Sequence, residues 1–167
     1  MRYRQQNVGT TKKSKKRTDM FVRELGVDDA PLYVKIAHDE QISMYTSFFF
    51  ANSTDVAKKC IRSNNTRYCR IYGLFTKANR LVGVYTVEDD ALGGATVCYM
   101  IGERYRGQGY ASKGIRLLAE VYSAVYQYFS FSIRKSNLAS IRVQECLGSE
   151  LVEETSKHLF YKLRLRI

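Results

Sequence analysis

Residues 96–111 place the strongest constraint on the fold, because an apolar strand runs into a glycine-containing turn that opens a long helix. The first backbone N–H groups of a helix have no partners inside it, and the helix dipole favours negative charge at that end. Gly107 and Gly109 allow positive φ angles and a close approach of the backbone to a phosphate. The segment therefore predicts an anion site, sized for a pyrophosphate, between a strand and a helix.

The surroundings of this turn narrow the choice of phosphate motif. Arg104, Arg106 and Lys113 would add positive charge around a bound anion. The P-loop pattern G-x-x-x-x-G-K-[ST] is absent, and no carboxylate lies near residues 129–133, where a dinucleotide-binding fold would place its acidic residue. The turn is therefore assigned to neither of those two classes.

Strand and helix patterns alternate along most of the chain. Helices are predicted from Asp28 or Asp29 with Pro31 in the first turn, from Ser53, over 111–126, and over 137–147 with Gly148 as the C-terminal cap. Strands are predicted at 20–25, 69–76, 81–87, 96–102, 128–133, 151–153 and 159–165. The predicted fold is α/β (α+β): one domain with a mixed, mostly antiparallel sheet of six to seven strands and about four helices.

Charge divides the chain into a basic arm and a domain. The chain has 167 residues, of which 45% are apolar, and a net charge of +11. Seven of the basic residues fall within residues 1–19, in a polar run without periodicity. We expect residues 1–18 to be a disordered arm that contacts RNA or the ribosome, or simply a solvated tail, and residues 19–167 to form the domain.

Apolar runs and cysteines indicate a cytoplasmic protein. No uninterrupted apolar stretch is long enough to cross a membrane, and the N-terminus lacks the hydrophobic region of a signal peptide. The four cysteines form no C-x-x-C pair, so we expect neither a disulfide framework nor a metal site. They are predicted to be reduced and mostly in the core: Cys60, Cys69, Cys98 and Cys146.

Two sequence blocks together resemble the GNAT N-acetyltransferases. The run R-x-x-G-x-G at residues 104–109, followed by a helix, resembles the family's coenzyme A signature [QR]-x-x-G-x-[GA]. The run N-x-x-S-x-x-V at 137–143 with L-G at 147–148 resembles the second block of the Rim-like branch, the ribosomal-protein N-terminal acetyltransferases. Arg23 and the Asp-Ala pair at 29–30 resemble that branch's opening strand and helix.

The resemblance extends over about residues 20–165 and implies an activity and a site. The implied activity is transfer of acetyl from acetyl-CoA to an amine, most directly a protein N-terminal or similar α-amine, by direct attack in a ternary complex. Asn137 and Ser140 would lie beside the thioester as the catalytic pair, and a homodimer is compatible with the family. The implied cofactor-binding residues are Tyr99, Met100, Ile101, Arg104, Tyr105, Arg106, Gly107, Gln108, Gly109, Tyr110, Ala111 and Asn137.

The sequence departs from the family at the acid and the base. Gln144 occupies the position where many members carry the tyrosine proposed as the acid, which leaves Ser140 as the candidate. Residues 95–97 lack the glutamate that several members use as a base. An α-amine, with a pKa of about 8, needs a base less than a lysine does. The carboxylates left as candidate bases are Glu88, Asp89, Asp90 and Glu103.

Other functions fit the same sequence. In one alternative hypothesis the acceptor is a small-molecule amine, although the net positive charge disfavours cationic ones. In another, the acceptor is an aminoacyl-tRNA. A third alternative is a non-catalytic CoA-binding sensor or RNA-binding scaffold. The aromatic run at residues 45–50 is either a wall of the acceptor site or part of the core.

Overall fold

A computed structural model describes residues 20–165 as one seven-stranded sheet with helices on both faces. The strand order is β1-β2-β3-β4-β5-β7-β6, and every neighbouring pair is antiparallel except β4 with β5. The predicted fold class and strand number are therefore confirmed, while the basic arm at residues 1–18 lies outside the described residues. The strands are β1 (Met20–Glu24), β2 (Cys69–Thr76), β3 (Leu81–Asp89), β4 (Gly94–Ile101), β5 (Tyr128–Arg134), β6 (Glu150–Glu154) and β7 (His158–Arg164).

Five α-helices lie in this part of the chain, one more than the sequence predicted. The additional helix is α2, a short segment that buries a single apolar side chain, Ile42, and so shows no periodic stripe. None of the helices within residues 20–165 is long and apolar enough to cross a membrane. The helices are α1 (Ala30–Ala37), α2 (Glu40–Thr46), α3 (Thr54–Ser63), α4 (Tyr110–Tyr122) and α5 (Leu138–Leu147).

Two of the predicted helix ends are confirmed and one is wrong. Ser53 caps α3 by accepting the Val56 N–H at 3.3 Å, and Gly148 ends α5 in the left-handed region with φ 72°. Helix α4 ends at Tyr122 instead of continuing to position 126. Val125, placed on the buried stripe by periodicity, is consequently exposed.

Asp29 occupies the N-cap position of α1, but its side chain does not form the capping hydrogen bond that was predicted. Its carboxylate accepts the Gly26 N–H at 2.9 Å and accepts hydrogen bonds from the two terminal nitrogens of Arg23, Nη1 and Nη2, at 2.8 Å. The hydrogen bonds from Arg23 hold the pKa of Asp29 below its usual value. Arg23 and Asp29 therefore tie β1 to the turn that precedes α1.

The core is divided between the two faces of the sheet. Side chains from β3 and β4 alternate, so that Val84 and Met100 pack against α1–α3 while Tyr85 and Val97 pack against α4. All four cysteines are free as predicted, and Cys60 and Cys98 are half-buried against the core on the α1–α3 side. Cys69 is half-buried outside that cluster and Cys146 is exposed, which corrects the expected core location of these two.

Strands β4 and β5 separate partway along their length, and this separation positions the site. Parallel pairing runs only from Gly94 opposite Tyr128 to Thr96 opposite Ser130. Beyond that point β4 continues to Ile101 beside β3, while β5 stays with β7. A gap therefore opens in the middle of the sheet, and the edge of β4 that faces β5 has no strand partner there.

Candidate active site

A cleft of about 660 Å³ occupies the gap between β4 and β5. Residues 97–101 and 131–134 form its two walls, and side chains of α5 line one side. At one end lies the turn before α4, and α2 borders the opening. An extended ligand arm entering here could pair with the open backbone edge of β4, as a strand would.

The glycine turn keeps the geometry that its sequence predicts. Gly107 has φ 70°, and Gly109, the N-cap of α4, has φ 79° without a side-chain capping bond. A Cβ built at either glycine would meet no atom within 4 Å, so the positive φ and not local crowding requires glycine. Both glycines line the cleft, and the N-terminus of α4 therefore opens into it.

Hydrogen bonds from the Tyr85 side chain hold the first turn of α4 in position. Its buried hydroxyl donates to the Tyr110 carbonyl at 3.0 Å and to the Ala111 carbonyl at 3.3 Å. A Cβ at Gly114 would lie 2.2 Å from the Tyr85 hydroxyl, so glycine is needed at that position of the helix. The end of the cleft at the glycine turn consequently rests on a tyrosine that sequence reasoning did not single out.

The Arg106 guanidinium points to α2 rather than over the glycine turn, which revises its expected role in charging the anion site. It contacts the Asp39 carboxylate at 2.7 Å, donates to the Ile101 carbonyl at 3.1 Å and donates to Gln41 Oε1 at 3.3 Å. The pKa of Asp39 lies below its usual value because its carboxylate accepts the Gln41 N–H and pairs with Arg106. Arg106 thereby holds α2 against the turn.

A second contact joins α2 to the opposite side of the cleft. The Tyr45 hydroxyl donates to the Ser136 carbonyl, in the loop before α5, at 3.3 Å. The aromatic run at residues 45–50 is divided between two environments: Phe49 is fully buried in the core, whereas Tyr45 lines the cleft. Helix α2 therefore bridges the two sides of the opening, which its weak periodicity did not indicate.

The N-terminal half of α5 brings the predicted catalytic pair to the cleft. Asn137 caps the helix by accepting the Ser140 N–H at 3.2 Å, and both side chains are half-buried. Beneath them lies Gln144, fully buried, whose Oε1 accepts the Ser149 hydroxyl at 2.7 Å. The ring of Tyr99 also lines the cleft, with its hydroxyl oxygen buried, and burial raises the pKa of this phenol.

The charges around the cleft are positive. Arg134 and Arg142 line it together with Arg106, and no carboxylate of the described residues does so. Asp89 instead accepts the Tyr126 hydroxyl, and Asp90 accepts backbone N–H groups of its own loop. Glu88 and Glu103 also lie outside the lining, so a general base remains unassigned.

Most of the predicted site residues meet in this cleft, and two do not line it. Arg104 and Gln108 lie on the turn, where the Gln108 side chain donates to the Arg104 carbonyl at 3.0 Å. The remaining predicted cofactor-binding residues line the cleft, and so does Ser140: Tyr99, Met100, Ile101, Tyr105, Arg106, Gly107, Gly109, Tyr110, Ala111 and Asn137.

Sequence reasoning missed the cleft-facing side of α5. The helix pattern over 137–147 places Ala139, Val143, Cys146 and Leu147 on one side of α5. Leu147 is buried, but the other three line the cleft. Small and apolar residues at a spacing of three to four positions fit a ligand wall as well as a core, and only the three-dimensional structure separates the two.

Comparison with known proteins assigns the chain to a family. The acetyltransferase (GNAT) domain family matches residues 19–150, and this chain belongs to it. The predicted family, and with it the predicted acetyl-CoA-dependent acetyltransferase, are confirmed. No curated protein sequence matches the chain.

Solved structures of acetyltransferases share the fold at low identity. RimL, the ribosomal L7/L12 α-N-protein acetyltransferase, superposes with a TM-score of 0.77 at 17% identity, over 88% of this chain and 91% of RimL. Its complex with coenzyme A gives 0.75 at 19% identity, over 89% and 95%. Spermidine N-acetyltransferase from Vibrio cholerae, in complex with CoA and spermine, gives 0.71 at 14% identity, over 89% and 97%. At these identities the likeness establishes the fold alone.

Proposed function

We propose that this protein transfers the acetyl group of acetyl-CoA to the α-amine of a protein N-terminus, by direct attack within a ternary complex. The carrying observation is a single cleft that joins the glycine turn before α4 to the Ser140 side of α5 through the gap between β4 and β5. Such a cleft suits a donor with a charged end, an extended arm and a reactive thioester. RimL, which shares the fold, acts on a ribosomal-protein α-amine.

The residues present fit coenzyme A along the whole cleft. The pyrophosphate would lie on backbone amides of residues 104–109 and the start of α4, where a glycine backbone and a helix N-terminus favour an anion. The pantetheine arm would pair with the open edge of β4 at residues 99–101. The thioester would then lie near Asn137 and Ser140. When bound, acetyl-CoA supplies the activated acyl group.

Acetyl transfer needs a neutral amine and a proton for the departing thiolate. The amine nitrogen forms a bond to the carbonyl carbon, the carbon–sulfur bond breaks, the sulfur takes the proton of the Ser140 hydroxyl, and a second proton donor restores that hydroxyl. The surplus proton of the amine passes to solvent. Arg134 and Arg142 near the reaction end disfavour an ammonium ion, so the cleft favours the neutral form of an amine whose pKa is already about 8.

The lining charge also supports an N-terminal acceptor over a polyamine. A polyamine carries several positive charges and needs carboxylates to replace its solvation. The cleft offers Arg134 and Arg142, since Arg106 is paired with Asp39, and no carboxylate of the described residues lines it. An α-amine on a peptide carries one charge that it must lose before it reacts.

Binding and turnover test this proposal separately. Calorimetry with acetyl-CoA is expected to give micromolar affinity, and thiol release is expected with peptides that carry a free N-terminus but not with their N-acetylated forms or with spermidine. Gly109→Glu should weaken acetyl-CoA binding by at least about 100-fold, because a carboxylate replaces the anion at the helix N-terminus.

Two glycine variants control for strain and charge. Gly109→Ala places a Cβ at the same positive φ without the charge, so it should lose less affinity than Gly109→Glu. Gly26→Glu adds the same charge at an exposed glycine outside the cleft, where a Cβ meets no atom within 4 Å, and should bind normally. Binding of acetyl-CoA without turnover of any amine would favour the alternative of a CoA-binding sensor. Turnover of spermidine alone would show that the acceptor is a polyamine and not a protein N-terminus.

We also propose that residues 1–18 bring the protein to RNA or to the ribosome. The support is their density of positive charge. Deletion of residues 1–18 should lower RNA affinity and flatten its dependence on salt, measured by titration at several salt concentrations. Equal RNA affinity of the full and truncated chains would reject this role.

A further inference from the structure

Two buried hydrogen-bond donors behind the cleft wall have no partner. The Tyr99 hydroxyl and the Gln144 side-chain amide nitrogen are both inaccessible to solvent, and neither forms a hydrogen bond within the described residues. Ser140 and Gln144, one helical turn apart on α5, are the polar side chains that face the Tyr99 phenol. Ser140 lines the cleft, whereas Gln144 does not.

Packing alone does not account for the hydroxyl of Tyr99. Its ring stacks on Tyr85 with a centroid distance of 6.1 Å and meets the edge of Phe131 at 6.4 Å, contacts that phenylalanine would make equally well. A buried donor without an acceptor destabilises a fold. The tyrosine hydroxyl therefore calls for an explanation in the chemistry of the cleft.

We propose that Tyr99 is a positioning residue for Ser140 and replaces the proton that Ser140 gives to the leaving sulfur. In the reacting complex, and not in the free protein, the phenol O–H and the Gln144 N–H donate to Ser140 Oγ, which directs the serine proton into the cleft. This inference rests on the proposed acetyl transfer.

Relative acidity explains why Ser140 needs a phenol behind it. An aliphatic hydroxyl is a far weaker acid than a thiol, so serine alone cannot leave its proton on a thiolate and remain as an alkoxide. A phenol is a far stronger acid than an aliphatic hydroxyl, even where burial raises its pKa as it does at Tyr99, so Tyr99 can supply the missing proton. As the carbon–sulfur bond breaks, the electron pair and the serine proton go to sulfur, the phenol proton goes to the serine oxygen, and solvent reprotonates the phenolate after CoA leaves.

The test is Tyr99→Phe, measured for turnover, acetyl-CoA binding and melting temperature. We expect kcat to fall about 10- to 100-fold, with KM for acetyl-CoA within about twofold of the wild type. The melting temperature should equal or exceed that of the wild type, because the variant removes an unpaired buried donor. In the Ser140→Ala background, Tyr99→Phe should cost no further activity, because the two hydroxyls act as one unit.

A second tyrosine provides the matched control. The Tyr72 hydroxyl is paired with that of Tyr122 at 2.8 Å and does not line the cleft, so Tyr72→Phe should leave kcat unchanged. Three results, each obtained with an active wild type, would overturn this inference alone. They are a kcat of Tyr99→Phe within twofold of the wild type, additive losses of activity in the double variant, and a loss confined to acetyl-CoA affinity. A wild type that binds acetyl-CoA but acetylates no amine overturns the proposed function and this inference with it.

Discussion

The two ends of the cleft are built in different ways. At the end proposed to bind the anion, Gly107 and Gly109 line the cleft, and the Tyr85 hydroxyl supports α4 by donating to two carbonyls. At the reaction end, side chains converge from β4, β5, α2 and α5, and two buried donors stay unpaired. The first end is fixed before any ligand arrives, whereas the second has hydrogen-bonding capacity left over for a reaction.

This difference separates binding from catalysis. Backbone amides hold a phosphate equally in the free and the reacting complex, so they contribute to affinity without accelerating the chemical step. Side-chain hydroxyls that change partners as the thiolate departs act only on that step. Changes at the glycine turn should therefore alter affinity, and changes around Ser140 should alter kcat.

Among variants outside the glycine turn and the reaction end, the largest effect is expected from Gly114→Ala. Its Cβ would lie 2.2 Å from the hydroxyl of Tyr85, a fully buried side chain that cannot move aside. Overpacking of this kind costs about 2 kcal/mol of unfolding free energy. The displaced first turn of α4 should weaken acetyl-CoA binding about 10-fold, as measured by calorimetry, with kcat at saturation nearly unchanged. Gly26→Ala, in open space, controls for the loss of a glycine; unchanged affinity in Gly114→Ala would show that the anion site does not depend on this contact.

The predictability of the two ends follows the same division. The glycine turn was identified from sequence because its chemistry is local: the spacing of Gly107 and Gly109 before a helix already defines the amide geometry. The strands were predicted because alternate residues of a strand face opposite sides of the sheet, and this leaves a period of two in the sequence. The exposed Val125 and the missed helix α2 show where local pattern fails, since a helix end and a helix with one buried residue depend on tertiary contacts.

The reaction end was predicted only in part. Asn137 and Ser140 came from a motif, but the placement of Tyr99 and Ser140 on the same cleft depends on tertiary structure, and 41 positions separate the two residues in the chain. The same holds for Arg106, whose partner Asp39 lies on another helix. Spacing along the chain carries no information on such pairs, so sequence reasoning assigned Arg106 to the nearest anion site.

A smaller effect is expected from Asp39→Asn, which removes the ion pair that holds α2 to the turn. The loss at pH 7 should be about 0.5–1 kcal/mol of unfolding free energy, since asparagine can still accept the Gln41 N–H. Because the pKa of Asp39 is lowered in the folded protein, its contribution is present above the unfolded value of about 3.9 and is lost as the pH falls through the lower folded value. Urea unfolding should show the two proteins converging between about pH 5 and pH 2; a constant difference would mean that the charge of Asp39 is not what stabilises α2.

The smallest effect is expected from Tyr45→Phe, the other contact of α2. It removes one hydrogen bond between a partly exposed hydroxyl and the Ser136 carbonyl, at 3.3 Å, which water can replace. KM for the acceptor peptide should rise about twofold, with kcat and acetyl-CoA affinity unchanged, in steady-state assays that vary each substrate separately. If Tyr45→Phe instead lowers kcat, α2 acts on the reaction end through Ser136 and the loop before Asn137. The two contacts would then differ in kind: the Arg106 pair would serve the anion-binding end, and the Tyr45 hydrogen bond would position the catalytic end of α5.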